Sequence, residues 1–258
     1  MKLALVAILV GCISVSSAAA CNGPFDILCE VGKTIDRGTV RAGKAIDKLN
    51  NGLNEIDPRV VMLHPVRAYL RESEIPPTGV RAYGVVALKS RPTPANNAKL
   101  MMVCKSFIAH FDRSEVSNAP IADQMITIWP LDDPQAEGAI KDDCDYITQH
   151  YVLGAATTAI AYAEMQHVSL DGEGPFLIGW SPADSRGKSD KLVLVVDMSD
   201  STDQAMIDHD FDFWKDKIVR DPSNWRRGFS LERVRVAIRD FVNHYGSDIV
   251  HDIKMAGL

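Results

Sequence analysis

The sequence predicts a layered α/β fold: a central sheet of about four or five strands flanked by helices, preceded by an amphipathic N-terminal helix. Three observations predict it. Short apolar runs alternate with longer segments of helical period along most of the chain. The run Leu192 to Val196 has no polar residue, the pattern of a strand covered on both faces. The bulk composition is that of an ordinary globular protein, with 46% hydrophobic and 24% charged residues in 258. A chain of that size buries a large core without help from a metal or a cross-link.

The elements follow in order. Met1 to Ala20 carries one cation (Lys2), an apolar run from Leu3 to Val10 and the small-residue exit Ala18-Ala19-Ala20. This reads as a cleaved export signal rather than a membrane anchor. Residues 30 to 56 place Ile35, Ala42, Leu49 and Ile56 at seven-residue intervals, with Thr39, Ile46 and Leu53 between them. That spacing predicts an amphipathic helix with a narrow apolar stripe, packed on its own domain in preference to a coiled-coil seam. Asp57-Pro58 ends it, Arg59 to Glu74 is ambiguous, and Pro76-Pro77-Thr78-Gly79 is a turn. The domains read as a signal (1–20), a disulfide loop and helical arm (21–77) and an α/β domain (78–258).

Within the α/β domain, Val80 to Leu88 reads as a strand. Thr93 then caps a helix with Pro94 at its first position, its apolar face formed by Leu100, Val103, Cys104, Phe107 and Phe111. Met125 to Trp129 is a strand stopped by Pro130. A polar helical stretch covers about 134 to 151, and an alanine-rich helix runs from Gly154 to about Gln166. Phe176 to Trp180 and Leu192 to Val196 are strands. Two helices are expected to close the chain. One spans Thr202 to Ile218; the other starts at Ser230 and ends at Gly246, with Leu231, Val234, Ile238, Phe241 and Tyr245 on one face.

Removing the signal leaves Cys21, Cys29, Cys104 and Cys144, an even number in an exported chain. The economical pairing is Cys21–Cys29 and Cys104–Cys144, among three combinations. Cys21 directly after small residues also resembles the acylated cysteine of a lipoprotein, although Ala18 stands where such signals carry Leu. The setting is therefore periplasmic or secreted, with a lipid anchor at Cys21 as the alternative. No later apolar run reaches the ~20 residues of a membrane span. The net charge is −6, and −7 once Lys2 leaves with the signal. Basic residues are scattered, so a nucleic-acid partner is not expected.

Asp197-Met198-Ser199-Asp200-Ser201 follows the most apolar strand and is the best candidate for chemistry. It resembles the D-x-S-x-S start of the metal site in von Willebrand factor A domains, over the ten residues Leu192 to Ser201. The resemblance implies that Asp197, Ser199 and Ser201 hold Mg²⁺ or Ca²⁺, cations that take hard oxygen ligands. In that family the motif opens the domain, whereas 57 residues follow Ser201 here. The competing reading is a capping box, Ser201-Thr202-Asp203-Gln204, in which Ser201 satisfies free N–H groups of the next helix. That reading is favoured.

Other constellations are weaker. His209 and Asp212, three apart on a helix, fit an acidic solvated face better than a metal pair. Gly179-Trp180-Ser181-Pro182 lacks the second glycine of a nucleophile elbow, and Pro182 has no N–H to offer. Cys104 and His110 stand six apart on one helix and cannot meet. The four tryptophans, Trp129, Trp180, Trp214 and Trp225, are expected to close a core in preference to lining a ligand groove around Phe176 to Trp180. The functional expectation is an exported cell-envelope protein that binds another envelope component without an evident catalytic site. The alternative is a metal-dependent hydrolase or binder centred on Asp197.

Overall fold

Seven strands form one mixed sheet in the order β3-β1-β4-β2-β5-β6-β7. The structure, a computed structural model, describes residues 63–114, 119–246 and 252–256. The predicted signal, the Cys21–Cys29 loop and the helix over 30–56 lie outside the described residues. The strands are β1 (Val66–Leu70), β2 (Ala82–Ala87), β3 (Asp112–Arg113), β4 (Met125–Pro130), β5 (Phe176–Trp180), β6 (Val193–Asp197) and β7 (Ile253–Ala256). β1 runs parallel to β3 and β4, and β4 parallel to β2. From β2 onward the pairing is antiparallel through β5, β6 and β7. Every residue of β2, β4, β5 and β6 is buried, which is what strands covered on both faces require.

The layered α/β class agrees with the sequence reading, but the sheet is larger. β1 comes from the ambiguous stretch and lies inside the sheet, between β3 and β4. The Pro76-Pro77 turn therefore joins two strands of the same sheet, and the boundary expected at 77/78 gives way to a compact unit spanning Val61–Leu258. β7 follows the last helix, where no strand was expected. It pairs with β6 through Val196↔Ile253 to Val193↔Ala256.

The helices are α1 (Asn97–His110), α2 (Glu137–Ile140), α3 (Cys144–Gln149), α4 (Leu153–Met165), α5 (Gln204–Asp212) and α6 (Leu231–Tyr245). α1 starts later than Thr93-Pro94 suggests, because Thr93 is spent on a turn: its carbonyl accepts from Asn96 and Asn97, and its own N–H donates to Asn96 Oδ1. The polar stretch 134–151 is broken at Asp142, whose φ is +58°, giving two short helices in place of one. The helix expected over 202–218 is α-helical only to Asp212 and continues as a π-helical segment, Phe213–Val219. Cys104 and Cys144 are bonded, with Cα atoms 5.8 Å apart, and tie α1 to α3.

The π-helical segment carries Trp214, a fully buried side chain that lies against the sheet. Strand pairing places Arg67, Thr127, Gly84, Gly179 and Leu194 in one row across one face. The Trp214 ring lies over the two glycines of that row, and its indole N–H donates to Thr127 Oγ1 at 3.0 Å. A Cβ at either glycine would overlap the ring. Gly84→Ala is accordingly expected to destabilise by about 1–3 kcal/mol through overpacking, although removing a strand glycine ordinarily helps. Urea unfolding of the variant checks this; unchanged stability would mean that the ring can shift. All four tryptophans are fully buried. Trp180 and Trp225 also spend their N–H groups inside, on Gln166 Oε1 and the Val219 carbonyl.

Candidate functional site

β6 ends on Asp197 beside the start of β5 and the residue preceding β7, so one end of the sheet collects loops from three parts of the chain. The Asp197 N–H donates to the Asp252 carbonyl at 2.6 Å, and the Met198 N–H to the Pro175 carbonyl at 2.9 Å. These bonds fix the direction of the Asp197 side chain before any ligand is considered.

Asp197 is 7% exposed and its carboxylate is already engaged. Oδ2 pairs with Lys254 Nζ at 2.6 Å; Oδ1 accepts from the Ser199 N–H at 3.0 Å and from the Ser199 hydroxyl. The Ser199 hydroxyl in turn accepts from the Gly174 N–H at 2.8 Å. Burial raises the Asp197 pKa, but the bonds from Lys254 and Ser199 together outweigh it and hold the carboxyl below its ordinary range. Lys99 reaches the same loop, donating to the Ser199 carbonyl at 2.6 Å. Burial lowers its pKa, opposed by Asp200, Asp197 and Asp210.

Ser201 turns away from Asp197 and donates to Asp210 Oδ2 at 2.7 Å. It does not cap α5. The N-cap is Asp203, whose carboxylate accepts from the Met206 N–H at 3.0 Å. The capping motif is therefore displaced by two residues, because a buried Asp210 on α5 competes for the Ser201 hydroxyl. Gln204 reaches across to Ser106 Oγ on α1, at 2.6 Å, in place of reaching back to the cap. Asp210 is 1% exposed. Burial first, with the charges of Asp252 and Asp197, raises its pKa to about 8 against the lowering by Ser201 and Lys99.

The sheet end thus pairs an ionised Asp197 with a neutral Asp210. Two carboxyls pushed apart in pKa are what acid–base sites use. Here both are spent on neighbours in the protein, and Asp210 has almost no surface. The arrangement acts as a clasp that joins β6, β7, α1 and α5. Asp197, Ser199 and Ser201 are not brought to one point, and among the described residues no group of three or more His, Cys, Asp or Glu could hold a metal ion.

The remaining candidates separate in the same way. Asp212 faces α1, 3.3 Å from His110 Nε2, and pairs with Lys215 at 2.6 Å. His209 packs near the Tyr245 ring, so the two do not share a ligand. Ser181 is buried and donates its hydroxyl to the Trp225 carbonyl, which leaves it unavailable as a nucleophile. Cys104 is consumed by the disulfide, and His110 Nδ1 lies 2.8 Å from the Ser106 carbonyl. Sequence reasoning missed Lys254, Lys99 and Asp210. None stands at a motif spacing from Asp197, and Lys254 lies in a tail whose strand character is only four residues long.

The chain matches no protein-family model, no curated protein and no solved structure.

Proposed function

We propose that this chain is an exported cell-envelope protein that works by binding another envelope component, with the α/β domain as a rigid, cross-linked body. The carrying observation is the state of Asp197. The best-placed carboxylate of the chain is buried, ion-paired to Lys254 and bonded to Ser199, which suits a structural clasp better than a reacting group. The export signal read at Met1 to Ala20 and the buried Cys104–Cys144 bridge support an oxidising setting. Among the described residues no helix is long and apolar enough to cross a membrane. The partner would then be met from the aqueous side, or from the surface if Cys21 is acylated.

Two measurements test this reading. Fractionation of native cells, followed by intact mass, is expected to recover a chain lacking residues 1–20 outside the cytoplasm, with Cys104 and Cys144 oxidised. The same mass reports whether Cys21 carries lipid. Calorimetric titration with Mg²⁺, Ca²⁺ and Mn²⁺ is expected to give no binding heat. Saturable heat that disappears in Asp197→Asn would overturn the clasp and establish the metal-dependent alternative.

A further inference from the structure

The opposite flank of the sheet holds a second charged cluster with an unbalanced charge. Alternation along β1 puts Arg67 and Tyr69 on one face, and β3 adds Arg113 beside them. All three converge on Asp142, in the turn between α2 and α3. Arg67 Nη2 is 2.7 Å from Oδ2 and Tyr69 Oη is 2.9 Å from Oδ1. Arg113 Nη2 is 2.9 Å from Oδ1 and its Nε 3.3 Å from Oδ2. Four donors fill the capacity of one carboxylate. Burial first, and Asp142 second, push the Tyr69 pKa up, so the phenol remains a donor.

Among the described residues, two guanidiniums against one carboxylate leave one positive charge over. Arg67 is 6% exposed. Its Nη1 donates to the carbonyls of Ile108 and Phe111 at the end of α1, while its buried Nε has no partner. Arg113 Nη2 also reaches the carbonyls of Ala139 and Ile140, and its Nη1 has no acceptor among the described residues. Asp133, after β4, is paired with Arg71 at 3.5 Å. Burying surplus charge is costly without a counter-ion. A cavity of about 100 Å³ opens here, lined by Arg67, Tyr69, Arg113, Pro134, Gln135 and Ile140.

We propose that this cleft is a binding site for a small oxyanion, a phosphate-type ion or a carboxylate group, held chiefly by Arg113 with the charge of Arg67 beside it. The space is a few times the ~30 Å³ of one water and below the roughly 300 Å³ at which pockets for drug-sized ligands begin. It admits an anionic group but not a nucleotide or a sugar. Arg113 Nη1, the guanidinium nitrogen that neither Asp142 nor the two carbonyls engage, can give either anion a charge-assisted hydrogen bond. The site is independent of Asp197 and of the proposed mode of action.

The test is titration of the purified protein with sodium phosphate, sodium acetate and sodium chloride at constant ionic strength, read by melting temperature and by calorimetry. Phosphate or acetate is expected to raise the melting temperature saturably where chloride does not, and the better of the two identifies the source of the oxyanion. Arg113→Gln and Gln135→Trp, the latter blocking the cleft with both arginines intact, are each expected to weaken binding at least tenfold. Arg71→Gln is expected to leave it unchanged. Equal shifts with all three salts, or oxyanion binding that survives Gln135→Trp, would overturn the proposal. If Arg113→Gln does not fold, the exposed Gln135 position decides alone.

Discussion

Replacing Cys104 and Cys144 together with alanine is expected to lower the stability of the α/β domain by about 4 kcal/mol. The bridge closes a loop of 40 residues, and the loop-closure entropy it removes from the unfolded chain lies between ~3 kcal/mol for a 15-residue loop and ~4.7 for a 100-residue one. For a domain of roughly 200 residues this lowers the melting temperature by about 8–16 °C. Cys104 is fully buried on the core face of α1, alongside Val103 and Phe107, so truncation also removes packing. The two causes separate in a mutant cycle. If the covalent link dominates, either single substitution costs nearly as much as both, because one lost partner opens the whole loop. Packing losses would add instead. Dithiothreitol should bring the wild type down to the level of the variants without moving the variants themselves. A wild type indifferent to reductant would show that the bridge contributes nothing to stability.

The same two cysteines show what could be read in the sequence. Their parity in a chain read as exported and the position of Cys104 among Leu100, Val103 and Phe107 pointed to the pairing that the structure contains. Strands β2, β4, β5 and β6 were legible too, since both faces are covered and nearly every residue is apolar. β1 was not. Arg67 and Tyr69 interrupt its pattern, and a buried arginine makes sense only with Asp142, 75 residues later. Nor was β7, whose Lys254 is the ion-pair partner of Asp197. Gly84 and Gly179 look like flaws in two strands until Trp214 is laid across them. At the sheet end, Asp197 could be singled out because it closes the apolar run of β6. Its surroundings could not, because Ser201 serves a carboxyl on α5 rather than the cap that its local sequence offers.

That carboxyl gives the second large effect: Asp210→Asn is expected to stabilise the protein at pH 8 by about 1–3 kcal/mol and to flatten its dependence on pH. Burial is the main reason that Asp210 holds its proton, and the negative charges of Asp252 and Asp197 add to it. Its pKa rises from the ordinary 3.8 to about 8 on folding. Between those values the folded chain keeps a proton that the unfolded chain has released. The group's contribution to stability is therefore complete below pH ~4 and is lost progressively as pH rises towards about 8, at up to ~1.4 kcal/mol per pH unit. The expected gain is set well under that ceiling because a buried site relaxes and admits water as its charge appears. Asparagine has nearly the shape of the protonated acid, never ionises and can still accept from the Ser201 hydroxyl. The clasp between α5 and the loop after β6 should persist while its pH cost disappears. Urea unfolding at pH 4, 6 and 8 is the measurement, and the difference between the two proteins cancels the titration of every other group. Curves that converge at pH 4 and separate at pH 8 are the expected result. Parallel curves would mean that Asp210 titrates like a solvent-exposed acid, and that the Ser201 contact and the burial around it do not hold in solution.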